Sequence, residues 1–216
     1  MILMKKNYMV IDLEGCQSKG AYQLGYAVYN TKKGIIKSDY FNIKSMLKKY
    51  EHSKIQKRED VKNVLKKKTK KQVENTLLDI IEKYKIKTIY TYNYFSDKVT
   101  LEKTFSKNFI KKLNKKCQFV DLMVLSVENI VKTQKYIKVH DINNNMVKHK
   151  VEVVYTYIIG NEPLIECHNA ENDSILECEI LKYLIDNKLD KNKEYNSLTH
   201  MWNSIRKYIK NEKANF

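Results

Sequence analysis

The chain of 216 residues contains one proline, Pro163, and only five glycines. So little turn-breaking material leaves none for a flexible interdomain linker. A single compact unit is expected, long enough to bury a sizeable core. No run of 18 or more apolar residues occurs, so no helical membrane span is available. The four cysteines, Cys16, Cys117, Cys167 and Cys178, are scattered and never in C-x-x-C spacing. That excludes a zinc ribbon or a disulfide framework and points to a reducing, cytoplasmic setting. The opening Met1-Ile2-Leu3-Met4-Lys5-Lys6 places its charge after a very short apolar patch, the reverse of a secretion signal. Arginine is nearly absent as well.

Lysine is abundant. The 41 Lys and Arg against 25 Asp and Glu leave a net charge of +16, a surface that attracts polyanions, with nucleic acid the default candidate. An A/T-rich coding sequence would also enrich lysine and asparagine, so charge alone does not decide. The segment Lys44–Lys71 carries twelve basic and three acidic residues, more than half of the excess. Its run Lys66-Lys67-Lys68-Thr69-Lys70-Lys71 reads either as a phosphate-tracking ridge or as a solvated helix face.

Hydrophobic patterning divides the rest of the chain. Tyr8-Met9-Val10-Ile11 is a short apolar run ending in Asp12, as expected of a buried strand that presents carboxylates at its C-terminal end. Tyr22–Asn30 and Ile35–Ile43, joined by a polar turn at Asn30–Gly34, complete a three-strand antiparallel meander. The basic segment is expected to be helical with a break near Lys54–Asp60. Gln72–Tyr84 carries one apolar stripe (Val73, Leu77, Ile80, Ile81) at helical spacing. A fourth strand is expected at Lys87–Tyr92, a helix at Phe95–Phe105, a fifth strand at Gln118–Leu122 and a helix through Ile130. Thr133–Lys148 is poorly patterned, with Asn143-Asn144-Asn145 marking a loop. Val151–Ile159 is apolar and β-branched, so local propensity favours a strand. Glu171–Leu184 is a regular amphipathic helix, and Leu198–Ile209 reads as a last one. There is no repeat of fixed period. The order of elements supports an α/β protein with a mixed sheet.

Three clusters of polar residues stand at the ends of these elements. Asp12 and Glu14, at i and i+2, fall on one face of an extended strand and can share a cation. Burying such a pair is costly unless a cation compensates. Asp97 follows the fourth strand in Asn93-Tyr94-Phe95-Ser96-Asp97, with Leu101 four residues on. His168 and Asp173 stand in His168-Asn169-Ala170-Glu171-Asn172-Asp173, directly ahead of the most regular helix. Singly each has an ordinary explanation: a surface strand end, a helix-start aspartate beside the macrodipole, a solvated histidine. Together, in this order, they match the parts of a two-metal phosphodiesterase.

On these residues the chain resembles the DEDDh 3′–5′ exonucleases, the DnaQ-like family, over about residues 8 to 185. H-x-A-x-x-D matches the histidine subtype; in the tyrosine subtype the base stands four residues before the last aspartate. The second motif departs from the family's N-x-x-F-D, because Ser96 precedes the aspartate and the aromatic is shifted to Phe95. The departure bears on local packing and leaves the carboxylate in place. The resemblance implies a ribonuclease H-like fold with a five-stranded mixed sheet, three antiparallel strands then two parallel, flanked by helices. It favours a helix over Val151–Ile159. The expected exonuclease domain spans 1–190, with 191–216 a C-terminal helical extension packed on it.

The resemblance further implies that Asp12, Glu14, Asp97 and Asp173 bind two divalent cations, Mg²⁺ or Mn²⁺. His168 would act as general base on the attacking water, its unperturbed pKa of about 6.5 suiting the task. Leu13, Gly15 and Cys16 would touch the terminal sugar and base, with Gln23 as a helper, while Asn93 and Tyr94 would contact the scissile end or a base face. The implied substrate is a single-stranded 3′ end, DNA favoured and RNA the alternative, released as 5′-mononucleotides. A replication or repair role would need a protein partner. The rival from another class is a nucleic-acid or partner-binding module of the same fold without turnover. Asp121 resembles an aspartate that family members often carry after the second motif; it is read as the cap of the next helix. Cys16 and Cys167 are read as small buried filler. His52, His140, His149 and His200 lack partner spacing and are read as solvated.

Overall fold

Three long strands follow one another at the start of the chain: β1 (Asn7–Cys16), β2 (Gly20–Asn30) and β3 (Gly34–Ile43). They pair antiparallel, as the alternating patterns predict. In the computed structural model, residues 6–139, 149–160 and 169–188 are described, together with Asn203 and Lys207. β2 is buried along its whole length. That requires cover on both faces, and helices supply it.

The basic segment does not form one helix. It folds as short pieces: α1 (Lys44–Leu47), 3₁₀ turns at Lys48–Tyr50, Lys54–Lys57 and Val64–Lys66, and α2 (Glu59–Lys62). Ser53 and Asn63 start two of these turns by accepting N–H bonds from Ile55 and Leu65. This local bonding competes with a continuous helix. The piece ends in β4 (Lys67–Lys68), which pairs parallel with β3 through Asn42 and Ile43. The sheet therefore has six strands, not five, in the order β4-β3-β2-β1-β5-β6. Two residues are too few for any alternation to show in the sequence.

Next comes α3 (Lys70–Lys83), opened by a capping box between Thr69 and Gln72. β5 (Thr88–Thr91) and β6 (Gln118–Asp121) lie parallel to β1 and to each other. Between them run α4 (Tyr94–Thr104) and α5 (Lys107–Lys116). α6 (Leu122–Ser126) continues as a π-helical turn at Val127–Val131 and is followed by α7 (Gln134–Val139), in a stretch whose sequence is poorly patterned. α8 (Val151–Ile159) is a helix despite its β-branched residues. It packs on α9 (Ala170–Asp186), and that tertiary contact overrides the local strand preference. Gly160, at φ +71°, closes α8 in the left-handed conformation.

The core has two halves, one on each face of the sheet. Met9, Ile11, Leu24, Tyr26 and Val28 meet α3, α4 and α5 on one side. Val10, Ala27 and Tyr29 meet α6, α8 and α9 on the other. Asp12 and Glu14 continue the Val10 side of β1 by alternation, so they point toward the helix that carries Asp173. Of the expected Leu198–Ile209 helix, only Asn203 and Lys207 are described, both helical and exposed. The expected domain boundary near residue 190 lies outside the described residues. No described helix is long and apolar enough to cross a membrane.

Candidate active site

Gly25, paired with Asp12 across the β1–β2 ladder, sets how closely the last helix approaches the sheet. A β-carbon on Gly25 would stand 1.9 Å from the Ala170 carbonyl oxygen. Only a residue without a side chain admits α9 at this depth. Two polar contacts hold the helix there. Gln23 Oε1 accepts the Ala170 N–H at 2.9 Å, and Asn169, which caps the helix by accepting from Glu171 and Asn172, donates to Asp60 at 3.1 Å. The first turns of α9 then present Asp173, Ser174 and Glu177 inward, all buried.

Asp12, Glu14 and Asp173 meet at this junction. One oxygen from each lies within 4.8 Å of the others, a spacing suited to one cation. Asp97, on the first turn of α4, stands outside that trio, yet its charge acts on Asp12. Asn93 makes the approach possible. It adopts φ +80° at the end of β5, a conformation that asparagine tolerates better than most residues. The chain turns there into α4, and Asp121 holds the turn by accepting the Tyr94 N–H at 2.9 Å. The same Asp121 caps α6 through Val124 at 3.1 Å, as its position suggests.

Burial and mutual repulsion dominate the electrostatics of Asp12 and Glu177. Burial, then the charges of Asp97, Glu14 and Asp173, holds the Asp12 carboxyl well above the usual range. Burial raises Asp97 to about 8. A further acid, Glu177, is only 2% exposed. Burial and the charges of Asp12, Asp97 and Asp173 keep it well above its ordinary value. One of its oxygens, Oε2, is buried without a hydrogen-bond partner, as is Asn93 Oδ1. Asp12, Asn93, Asp173 and Glu177 line one cavity of about 320 Å³, roofed by His149, Lys150, Val151 and Glu152 at the start of α8. An all-oxygen donor set with an orphaned buried carboxylate oxygen fits hard divalent cations such as Mg²⁺ or Mn²⁺.

The remaining candidates are dispersed around this centre. Leu13 lies on the opposite face of β1 and packs against the core. Gly15 follows a bulge in β1 and is exposed. Cys16 is exposed rather than buried filler; hydrogen bonds from Ser18 and Tyr50 lower its thiol to about 7. Tyr94 lines a separate cleft and stacks on Phe119, centroids 5.2 Å apart. Gln23 is fully buried, and its amide nitrogen donates to Asn42 and Asp60. His168 and Cys167 lie outside the described residues, as do His140 and His200. His52 is exposed as expected, whereas His149 is half-buried, its carbonyl accepting the Tyr92 hydroxyl.

Sequence reasoning missed a second layer. Arg58 donates twice to Asp60, at 3.0 and 2.7 Å, and once to the Tyr22 hydroxyl at 3.1 Å. Tyr22 in turn donates to Glu14 Oε2 at 3.4 Å. Asp60 also accepts from Asn169 at 3.1 Å. Burial works to raise the Asp60 carboxyl, but the bonds from Arg58 and Gln23 prevail and leave it below its ordinary value. The only hint in the sequence is one of two arginines placed inside a lysine-rich segment.

No protein-family model matches the sequence, and no curated protein is similar enough to match. Solved structures do match. The nuclease domain of 3′hExo, a DEDDh family member bound to rAMP, superposes with a TM-score of 0.53 at 14% identity, covering 89% of this chain and 99% of that one. A full-length 3′-exonuclease gives 0.52 at 12% identity over 89% and 88% of the two chains. Cell-death related nuclease 4 (CRN-4) gives 0.52 at 9% identity, over 84% of this chain and 64% of its own. The fold is that of the DEDDh exonucleases, ribonuclease H-like with a mixed sheet flanked by helices.

Proposed function

We propose that the protein is a divalent-cation-dependent 3′–5′ exonuclease that hydrolyses the terminal phosphodiester bond of a single-stranded nucleic acid and releases 5′-mononucleotides. The observation that carries this reading is the meeting of Asp12, Glu14 and Asp173 within 4.8 Å, on a fold shared with DEDDh nucleases. Asp12, Glu14, Asp97 and Asp173 would hold two Mg²⁺ or Mn²⁺ ions. These ions would supply activation of the attacking water and stabilisation of charge on the leaving oxygen.

The chain's own groups do the rest. His168, one residue before the Asn169 cap, takes the proton from the attacking water as general base. Asn169, pinned by Asp60, holds the start of α9 beside the carboxylates. Gly15 and Cys16, exposed at the end of β1, contact the terminal nucleotide beside Leu13. Asn93 stands at the scissile end. Gln23 acts from inside the protein by seating α9, and the Tyr94 N–H steadies the turn that delivers Asp97. The net charge of +16 draws the polyanionic strand toward the carboxylates.

Matched DNA and RNA oligonucleotides, labelled at the 5′ end and incubated with Mg²⁺ or Mn²⁺, test the reading. A ladder shortening from the 3′ end is expected, and the faster of the two substrates names the preferred sugar. Tight binding of either strand without release of nucleotide would favour a silent binding module instead.

A further inference from the structure

We infer that Glu177 is an additional cation-positioning carboxylate, accepting a hydration water of the divalent ion held by Asp12 and Asp173 from the inner wall of their shared cavity. The inference rests on the cation-dependent reading above. Glu177 lies four residues beyond Asp173 on α9, so both project from the same face of the helix. It is 2% exposed, and it lines the cavity with Asp12 and Asp173.

A buried carboxylate oxygen without a donor is costly, and Glu177 Oε2 is in that state. The Tyr92 backbone N–H acts against the rise of this carboxyl without offsetting it. The nearest lysine on the cavity wall, Lys150, faces Glu152 at 3.6 Å. Asn93 Oδ1, on the same wall, is a second buried acceptor without a donor. The cavity thus offers acceptors and negative charge together. A hydrated cation is the ligand that matches both, because its waters turn their lone pairs to the ion and their O–H groups outward. Glu177 lies outside the trio whose oxygens converge within 4.8 Å, so it reaches the ion through water. Mg²⁺ retains several waters in protein sites, and groups that bond to a metal's ligands commonly change affinity by about 10–100-fold when removed.

Mn²⁺ binding to the full chain without nucleic acid, followed by calorimetry and electron paramagnetic resonance, tests the inference. Glu177→Gln keeps the shape of the side chain and removes its charge. It is expected to weaken Mn²⁺ by about 10–100-fold with an unchanged circular dichroism spectrum. Wild-type affinity in that variant would overturn the inference. Crystals of the wild-type protein soaked in Mn²⁺ give a second measurement that needs no variant: a water bridging the anomalous peak to Glu177 supports the role, and a peak with no such water refutes it. The two readings separate cleanly. Mn²⁺ binding that depends on Glu177, in a protein that releases no nucleotide, would sink the nuclease and leave Glu177 standing. No Mn²⁺ binding by wild type would end both.

Discussion

Gln23 and Ala170 are 147 residues apart in the chain, yet the Gln23 side-chain amide oxygen accepts the Ala170 N–H at 2.9 Å. That bond fixes the start of α9 against the middle of the sheet, two residues after His168. Replacing Gln23 by alanine strips a partner from the Ala170 N–H, from Asn42 and from Asp60. Each buried group left unsatisfied costs about 1–3 kcal/mol. Urea denaturation of the variant should show a loss within or above that range; a loss under half a kcal/mol would mean that water replaces the amide.

His168→Ala should lower turnover by about 10²–10⁴-fold, the usual worth of a positioned general base. Binding of a 3′-terminal oligonucleotide should be spared. Full retention of cation-dependent activity would move the base elsewhere. The double change Asp12→Ala with Glu14→Ala should abolish turnover altogether, read in the same gel assay.

Acidity and metal are coupled in this site. Asp97 titrates near 8 in the folded protein against 3.8 ordinarily, and Asp12 and Glu177 are raised too. Between those values the folded state holds protons that the unfolded chain has released. Stability of the metal-free protein must then fall as pH rises through this window, by up to about 1.4 kcal/mol per pH unit for each retained proton. Thermal melts in chelator should decline from pH 5 to pH 8. Added Mg²⁺ or Mn²⁺ should recover more stability at pH 8 than at pH 5, since cation binding expels those protons. A flat chelator profile would contradict the burial of these acids.

Arg58 is linked to Glu14 through the Tyr22 hydroxyl and by its charge. Arg58→Ala should therefore weaken cation affinity modestly, by less than about 10-fold, while costing about 1–3 kcal/mol of stability through the lost Asp60 bonds. Titration of activity with Mg²⁺ at saturating substrate separates the two effects. An unchanged half-saturating Mg²⁺ concentration would confine Arg58 to a structural role.

Much of this arrangement is legible in the sequence. The meander, the strand end carrying Asp12 and Glu14, the Asp97 helix and the amphipathic α9 all write themselves in periods of two or 3.6 residues. What escaped has a physical reason in each case. β4 pairs through two residues, below any period. Val151–Ile159 is helical because α9 offers it a surface, and no local rule contains that contact. Glu177 sits among Glu171, Asp173 and Glu179 on the amphipathic α9; only the packed structure shows that it is buried beside Asp173 while Glu171 and Glu179 stay half-buried. Gln23, Arg58 and Asp60 act across the fold, through partners that sequence distance hides.

Gly25 has a wider consequence. It pairs with Asp12 in the ladder and touches the backbone of Ala170, so the first carboxylate and the helix bearing the last are gauged from one shared reference point. That gauge is main chain against main chain. Substitutions in either half of the core alter side chains that do not enter it. The chain can therefore drift in its apolar interior, losing or gaining stability, long before the spacing of its acids changes; a single methyl at position 25 would disturb that spacing at once.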